Sequence, residues 1–116
     1  MDADTVSISN LQRQIIHNME NSDQNKAESA KVALQKLNDK ITVKAYTGFL
    51  TAENSERIIS GYDFIIDAVD NFATKFLIND VCVLLKKPFC HAGIMRFEGQ
   101  VMTCVPGEYP CYRCIF

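Results

Sequence analysis

Residues 62–83 read YDFIIDAVDNFATKFLINDVCV, and this stretch decides the fold. Its first part, YDFIIDAV, is a compact apolar run, as expected of a strand buried on both faces. Asp70 or Asn71 then offers a helix N-cap, and Ala73, Leu77, Val81 and Leu84 recur at helical spacing. Lys86 and Lys87 complement the dipole at the helix end, and Pro88 stops it. With the flanking elements the order is helix, strand, helix, strand, helix and then strands, an alternation that argues a parallel sheet with helices on both faces.

On the N-terminal side, residues 22–38, SDQNKAESAKVALQKLN, predict a helix. Ala27, Ala30, Leu34 and Leu37 share its apolar face, and Ser22 or Asp23 can cap it. Residues 41–46, ITVKAY, alternate as a strand does. TAENSERIIS predicts a short helix capped by Thr51 and closed by Gly61. Leu11, Ile15 and Ile16 suggest one face of another short helix. On the C-terminal side, FCHAGIM and QVMTCV predict two strands around a turn near Glu98–Gly99, and PGEYPCYRCIF reads as a loop. The predicted class is α/β: a Rossmann-like, mostly parallel sheet with flanking helices and an antiparallel C-terminal strand pair. The 116 residues suit one small domain.

Composition narrows the function. A chain 47% hydrophobic and 22% charged is globular. A net charge of -2 gives no reason to expect nucleic acid, which wants a basic face. No run approaches the ~18 unbroken apolar residues of a membrane span, and no signal peptide is visible. Five cysteines, an odd number partly placed in apolar segments, fit a reducing compartment better than a disulfide framework. The expectation is a soluble cytoplasmic protein.

In an α/β sheet ligands bind beyond the carboxyl ends of the strands, and DAVDN (67–71) lies at such an end. Asp70 there suits Mg²⁺ coordination, or plain helix capping. Arg13 and Lys26 suit a triphosphate clamp, or ordinary surface charge. Asp2 suits ribose hydroxyls, or a solvated terminus. Cys111 and Cys114 form a CxxC, which is half of a zinc knuckle or a pair of free thiols. His17 and His91 read as structural, hydrogen-bonded side chains, and Cys82 and Cys90 as core. None of the five glycines stands in a GxG arrangement, which argues against an NAD-dependent oxidoreductase.

DADTVSISNLQRQIIH, Lys26, YDFIIDAVDNFATKFLINDVCV, GIMRFEGQV and PCYRCIF together resemble the HesA/MoeB/ThiF adenylyltransferases, relatives of the ubiquitin-activating enzyme. The resemblance covers nearly the whole chain, in the family's order. It implies ATP and Mg²⁺ as cofactors and a ubiquitin-like sulfur-carrier protein ending in Gly-Gly as partner, in thiamine or molybdopterin biosynthesis. It implies Asp2 on the ribose, Asn10, Arg13, Gln14 and Lys26 on the nucleotide and its phosphates, and Asp70 on Mg²⁺ beside Asn71. Arg13, Lys26 and Asp70 would then be the catalytic set, and Cys111 and Cys114 half of a structural Zn²⁺ site.

The family places a strand and a GxGGxG-type loop before the opening acids, and an upstream arginine acting across a dimer. It places a second CxxC, and in some members a sulfur-handling cysteine, downstream of the first pair. None of these stands within residues 1–116. The expectation is therefore the middle of an adenylyltransferase, with weak or absent catalysis in this chain alone. An open apolar sheet edge implies self-association as a homodimer or larger assembly. A non-catalytic dimerisation or carrier-docking module is the competing expectation.

Overall fold

The computed structural model describes residues 1–116. It divides into two compact units, Met1–Phe49 and Leu50–Phe116.

In the first unit, two single-turn 3-10 segments, Ile8–Asn10 and Met19–Asn21, precede helix α1, Lys26–Leu37. Asn25 caps α1: its side-chain oxygen accepts from the N–H groups of Ala27 at 2.9 Å and Glu28 at 3.2 Å. Such a cap contributes about 1 kcal/mol. The expected caps, Ser22 and Asp23, lie too early. Asp23 instead takes a left-handed conformation (φ 66°), turning the chain back so that its N–H reaches the Val6 carbonyl. A bridge between Thr5 and Asn25, with backbone bonds from Val6 to Gln24 and from Lys26 to Asp4, holds the N-terminal segment against the start of α1.

Two expectations for this unit fail. The helix around Leu11, Ile15 and Ile16 is only a series of turns, and Ile15 is 94% exposed. Residues 41–46 form no strand. A strand needs a neighbour to satisfy its backbone groups, and within this unit the segment receives only the Asp2 N–H on the Tyr46 carbonyl, at 3.0 Å.

The second unit runs α2 (Ala52–Ile59), β1 (Ile65–Asp67), α3 (Phe72–Leu84), β2 (Phe89–Met95), β3 (Glu98–Cys104) and α4 (Tyr112–Ile115). Thr51 and Asn54 close a reciprocal capping box on α2. The strands form a mixed sheet in the order β1-β2-β3, with β1 parallel to β2 and β2 antiparallel to β3. Parallel pairing demands a crossover, and α3 supplies it. The core is Ile59, Ile78, Val81, Cys82, Phe89 and Cys104, between the helices and one sheet face. Burying Phe89 alone is worth about 1.5–3 kcal/mol.

The opposite face is open. Ile66, Ile94 and Val101 share it by register and are 75%, 86% and 74% exposed. The expectation that residues 62–69 form a strand covered on both sides therefore fails here; only Ile65–Asp67 is extended into the sheet. The hairpin turns at Arg96–Phe97, not near Glu98–Gly99, and Arg96 is left-handed (φ 57°). The tail also departs from the expected loop: Cys111 stands at the N-cap of the short turn α4. No helix is long and apolar enough to cross a membrane.

Candidate functional site

In the second unit, the turn after β1 carries the candidates. Its geometry begins at Asp67, the last residue of β1. One carboxylate oxygen, Oδ1, accepts from the Val69 N–H at 2.9 Å, closing a tight Asx turn. Four residues after Asp67, Asn71 caps α3 by accepting from the Thr74 N–H at 2.9 Å. Asn71 is thus the cap. Asp70, one residue earlier, is exposed, and its carboxylate is not used in capping.

Beneath this turn lies a charge cluster that the sequence did not reveal. Register places Asp67 beside His91 on the inward face of the sheet. Asp67 Oδ2 lies 2.7 Å from His91 Nδ1 and 3.6 Å from Lys75 Nζ. A carboxylate only accepts, so Nδ1 carries the proton toward it. Lys75 Nζ, 3.4 Å from the same nitrogen, donates instead to the Ala92 carbonyl at 2.9 Å. All three side chains are buried. Lys75 sits between Asn71 and Ile78 on α3, where periodicity alone gives no hint that a lysine turns inward. The signal available in sequence was an unpaired acid inside an apolar run, followed by a lysine in an apolar helix. His91 is buried and hydrogen-bonded, and His17 is hydrogen-bonded too, its Nδ1 lying 2.8 Å from Ser29 Oγ.

In the first unit, the expected nucleotide residues fall into two local groups. The Asn10 carbonyl accepts from the N–H groups of Arg13 at 3.2 Å and Gln14 at 2.9 Å, so one turn gathers Asn10, Arg13 and Gln14. Arg13 is exposed. Gln14 Oε1 is buried and has no hydrogen-bond partner, an acceptor left open to a donor. The second group forms around Asn25, whose Nδ2 donates to the carbonyls of Asp2 at 3.0 Å and Asp4 at 3.2 Å. Lys26 Nζ lies 3.6 Å from the exposed Asp4 carboxylate. Asp2 Oδ1 accepts from the Asp4 N–H at 2.9 Å, which leaves its other oxygen free.

The Cys111 and Cys114 thiols are 3.6 Å apart. Two sulfurs on one tetrahedral zinc lie about 3.8 Å apart at a Zn–S length of about 2.3 Å, so the pair fits one edge of such a site. Burial acts to raise the Cys111 thiol pKa. Hydrogen bonds from Cys114 and from the backbone N–H groups of Cys114 and Arg113 outweigh it, and the net shift is downward. No third His, Cys, Asp or Glu side chain joins the pair or Asp70 in a metal-holding cluster. Asp70 still fits Mg²⁺, which commonly takes one or two carboxylates and completes its shell with water and substrate phosphates.

The ThiF family profile matches residues 1–116. This chain belongs to the ThiF family. Among curated relatives, the adenylyltransferase and sulfurtransferase MOCS3 of Drosophila ananassae is 40% identical over 116 residues, covering 100% of this chain and 26% of that protein. MOCS3 of Dictyostelium discoideum is 43% identical, covering 100% of this chain and 27% of that protein. The chain thus spans about a quarter of the length of these relatives. Among solved structures, Escherichia coli MccB with ATP superposes at a TM-score of 0.88 and 26% identity, over 98% of this chain and 34% of that one. MccB with AMPCPP and MccA gives the same TM-score and identity, over 98% and 35%. The Rossmann-like α/β fold expected for this ThiF-family chain is the fold it has.

Proposed function

We propose that this chain carries part of the nucleotide site of an ATP-dependent adenylyltransferase. Its substrate would be the C-terminal glycine carboxylate of a ubiquitin-like sulfur-carrier protein, in thiamine or molybdopterin biosynthesis. The observation that carries the reading is Asp70, exposed at the carboxyl end of β1 and released from capping by Asn71. The relatives' names support it: MOCS3 is an adenylyltransferase and sulfurtransferase, and MccB was solved with ATP.

In the proposed reaction a carrier carboxylate oxygen attacks the α-phosphorus of ATP. The new carboxyl–phosphate bond forms as the bond from the α-phosphorus to the bridging oxygen breaks, and pyrophosphate leaves. Two anions must approach, so fixed cations have to offset their repulsion. Arg13 and Lys26 supply positive charge for the phosphates, and Lys26 must leave Asp4 to do so. The free oxygen of Asp2 suits the ribose hydroxyls. Asn10 and Asn71 offer amides to the nucleotide. The open Gln14 acceptor suits a hydroxyl or amine of the nucleoside rather than a phosphate. Asp70 would hold Mg²⁺, which when bound offsets phosphate charge. Cys111 and Cys114 would give two ligands of a structural Zn²⁺ site.

Calorimetry tests the reading. ATP binding is expected to strengthen with Mg²⁺ and to lose that dependence in Asp70→Asn. No binding, or the same Mg²⁺ dependence in Asp70→Asn, overturns it.

The open apolar face at Ile66, Ile94 and Val101 favours a second reading, a dimerising or carrier-docking module. ATP–pyrophosphate exchange with a Gly-Gly carrier separates the two. Carrier-dependent exchange marks transfer; carrier binding without exchange marks docking.

A further inference from the structure

We propose that Asp67, Lys75 and His91 are positioning residues that hold the Asp70–Asn71 turn in a nucleotide-competent shape. The inference rests on the reading that Asp70 serves MgATP.

Asp67 cannot itself reach a nucleotide, because it is 2% exposed and each of its carboxylate oxygens is held by a partner inside the protein. Its Oδ1 fixes the Val69 N–H, the backbone group just before Asp70. Its Oδ2 is held by His91 from β2 and lies beside Lys75 from α3. The carboxylate therefore ties together the strand that ends at the turn, the strand beside it and the helix that begins after it. Lys75 adds a second tie, through its 2.9 Å bond to the Ala92 carbonyl of β2. Tyr112 closes the cluster, its ring 4.4 Å from that of His91. Asn71 is one helical turn before Lys75, so the anchored lysine also fixes the phase at which α3 starts. A buried ion pair is a poor source of stability, and in some proteins its role is instead to select one defined geometry. Groups that orient a metal-binding side chain without touching the metal commonly change affinity by about 10–100-fold.

The variants are Lys75→Met, which removes the charge and both ties, Lys75→Arg, which keeps the charge, and His91→Gln, which keeps a donor for Asp67. Lys75→Met is expected to weaken MgATP binding at least about tenfold while changing Mg²⁺-free ATP binding far less. Lys75→Arg is expected to recover much of that loss. In hydrogen exchange, Lys75→Met speeds the amides of residues 68–71, and His91→Gln does so less. Ile59→Val, a core change in α2, controls for simple loss of stability and leaves MgATP affinity as in the wild type. Wild-type affinity in Lys75→Met, or equal losses with and without Mg²⁺, overturns the proposal. A wild-type chain that binds no MgATP overturns the functional reading instead. In that case the exchange arm still shows whether the cluster holds the turn, and unchanged exchange overturns that as well.

Discussion

The Tyr112 N–H donates to Asn79 Oδ1 at 2.8 Å across 33 residues of sequence, and both residues are almost fully buried. This bond fastens the CxxC turn to the middle of α3. Replacing Asn79 by Ala leaves a buried N–H without a partner, at a cost of about 1–3 kcal/mol. Urea unfolding is expected to show that loss as a lower midpoint at unchanged slope. A midpoint within error of the wild type would mean that the tail is not held this way in solution.

The five thiols are expected to react in an order set by burial and charge. Burial, with smaller contributions from Cys104 and Asp67, pushes the Cys82 thiol up to about 12. Burial and the two CxxC thiols raise Cys104. Only about one Cys82 side chain in a hundred thousand is then thiolate at pH 7. Cys114 is exposed and Cys111 is shifted down, so iodoacetamide should label the CxxC pair first and Cys82 last. Mass mapping of label against time and pH measures the order. Early labelling of Cys82 in the folded chain contradicts it.

Much of this architecture was legible because its causes are local. The existence of α3, the Thr51 cap and the C-terminal strand pair follow from spacing that neighbouring residues carry. The expected α3 stripe does not hold: Leu84 is 71% exposed and Ala73 exposed, and the helix buries Lys75, Ile78, Asn79, Val81 and Cys82 instead. Residues 41–46 have as good a strand pattern as any in the chain, yet form none, because a strand depends on a partner that the pattern does not specify. The choice between Asp70 and Asn71 as cap was invisible for a different reason. Both types cap well, and one residue of phase decides. The Asp67–His91–Lys75 cluster joins positions 16 and 24 apart in sequence, so no local period encodes it. Family resemblance pointed to the exposed acid but not to what holds it.

Asp80 and Arg113 make a two-pronged ion pair, at 2.6 and 2.7 Å, with the guanidinium lying over the Phe76 ring. The Arg113 hydrogen bond holds the Asp80 carboxyl below its ordinary range, against a smaller opposing effect of burial. A depressed acid contributes stability above its unfolded value and loses it as pH falls through its folded value. The contribution is therefore full at neutral pH, begins to fall near the unfolded value of about 3.9 and is gone only below the lower folded value. Both side chains are about half exposed, so it is small and screened by salt. Carboxyl NMR titration is expected to show Asp80 returning toward its ordinary value in Arg113→Ala. An unchanged Asp80 titration would assign the shift to something other than the pair.

Asp70 and Asn71 stand next to each other and should fail in opposite ways. Asn71 accepts from the Thr74 N–H, so Asn71→Ala removes an N-cap and is expected to cost about 0.5–2 kcal/mol of stability. Asp70 is exposed and takes no part in that cap, so Asp70→Asn should leave stability within about 0.5 kcal/mol of the wild type. If Asp70 serves Mg²⁺, the order reverses for ligand: Asp70→Asn loses Mg²⁺-dependent ATP binding, and Asn71→Ala retains part of it. Thermal unfolding and calorimetry on the same two variants measure both quantities. A destabilised Asp70→Asn would make the acid a structural residue after all. Equal ligand losses in both variants would mean that the shape of the turn, rather than the carboxylate, carries the Mg²⁺ dependence.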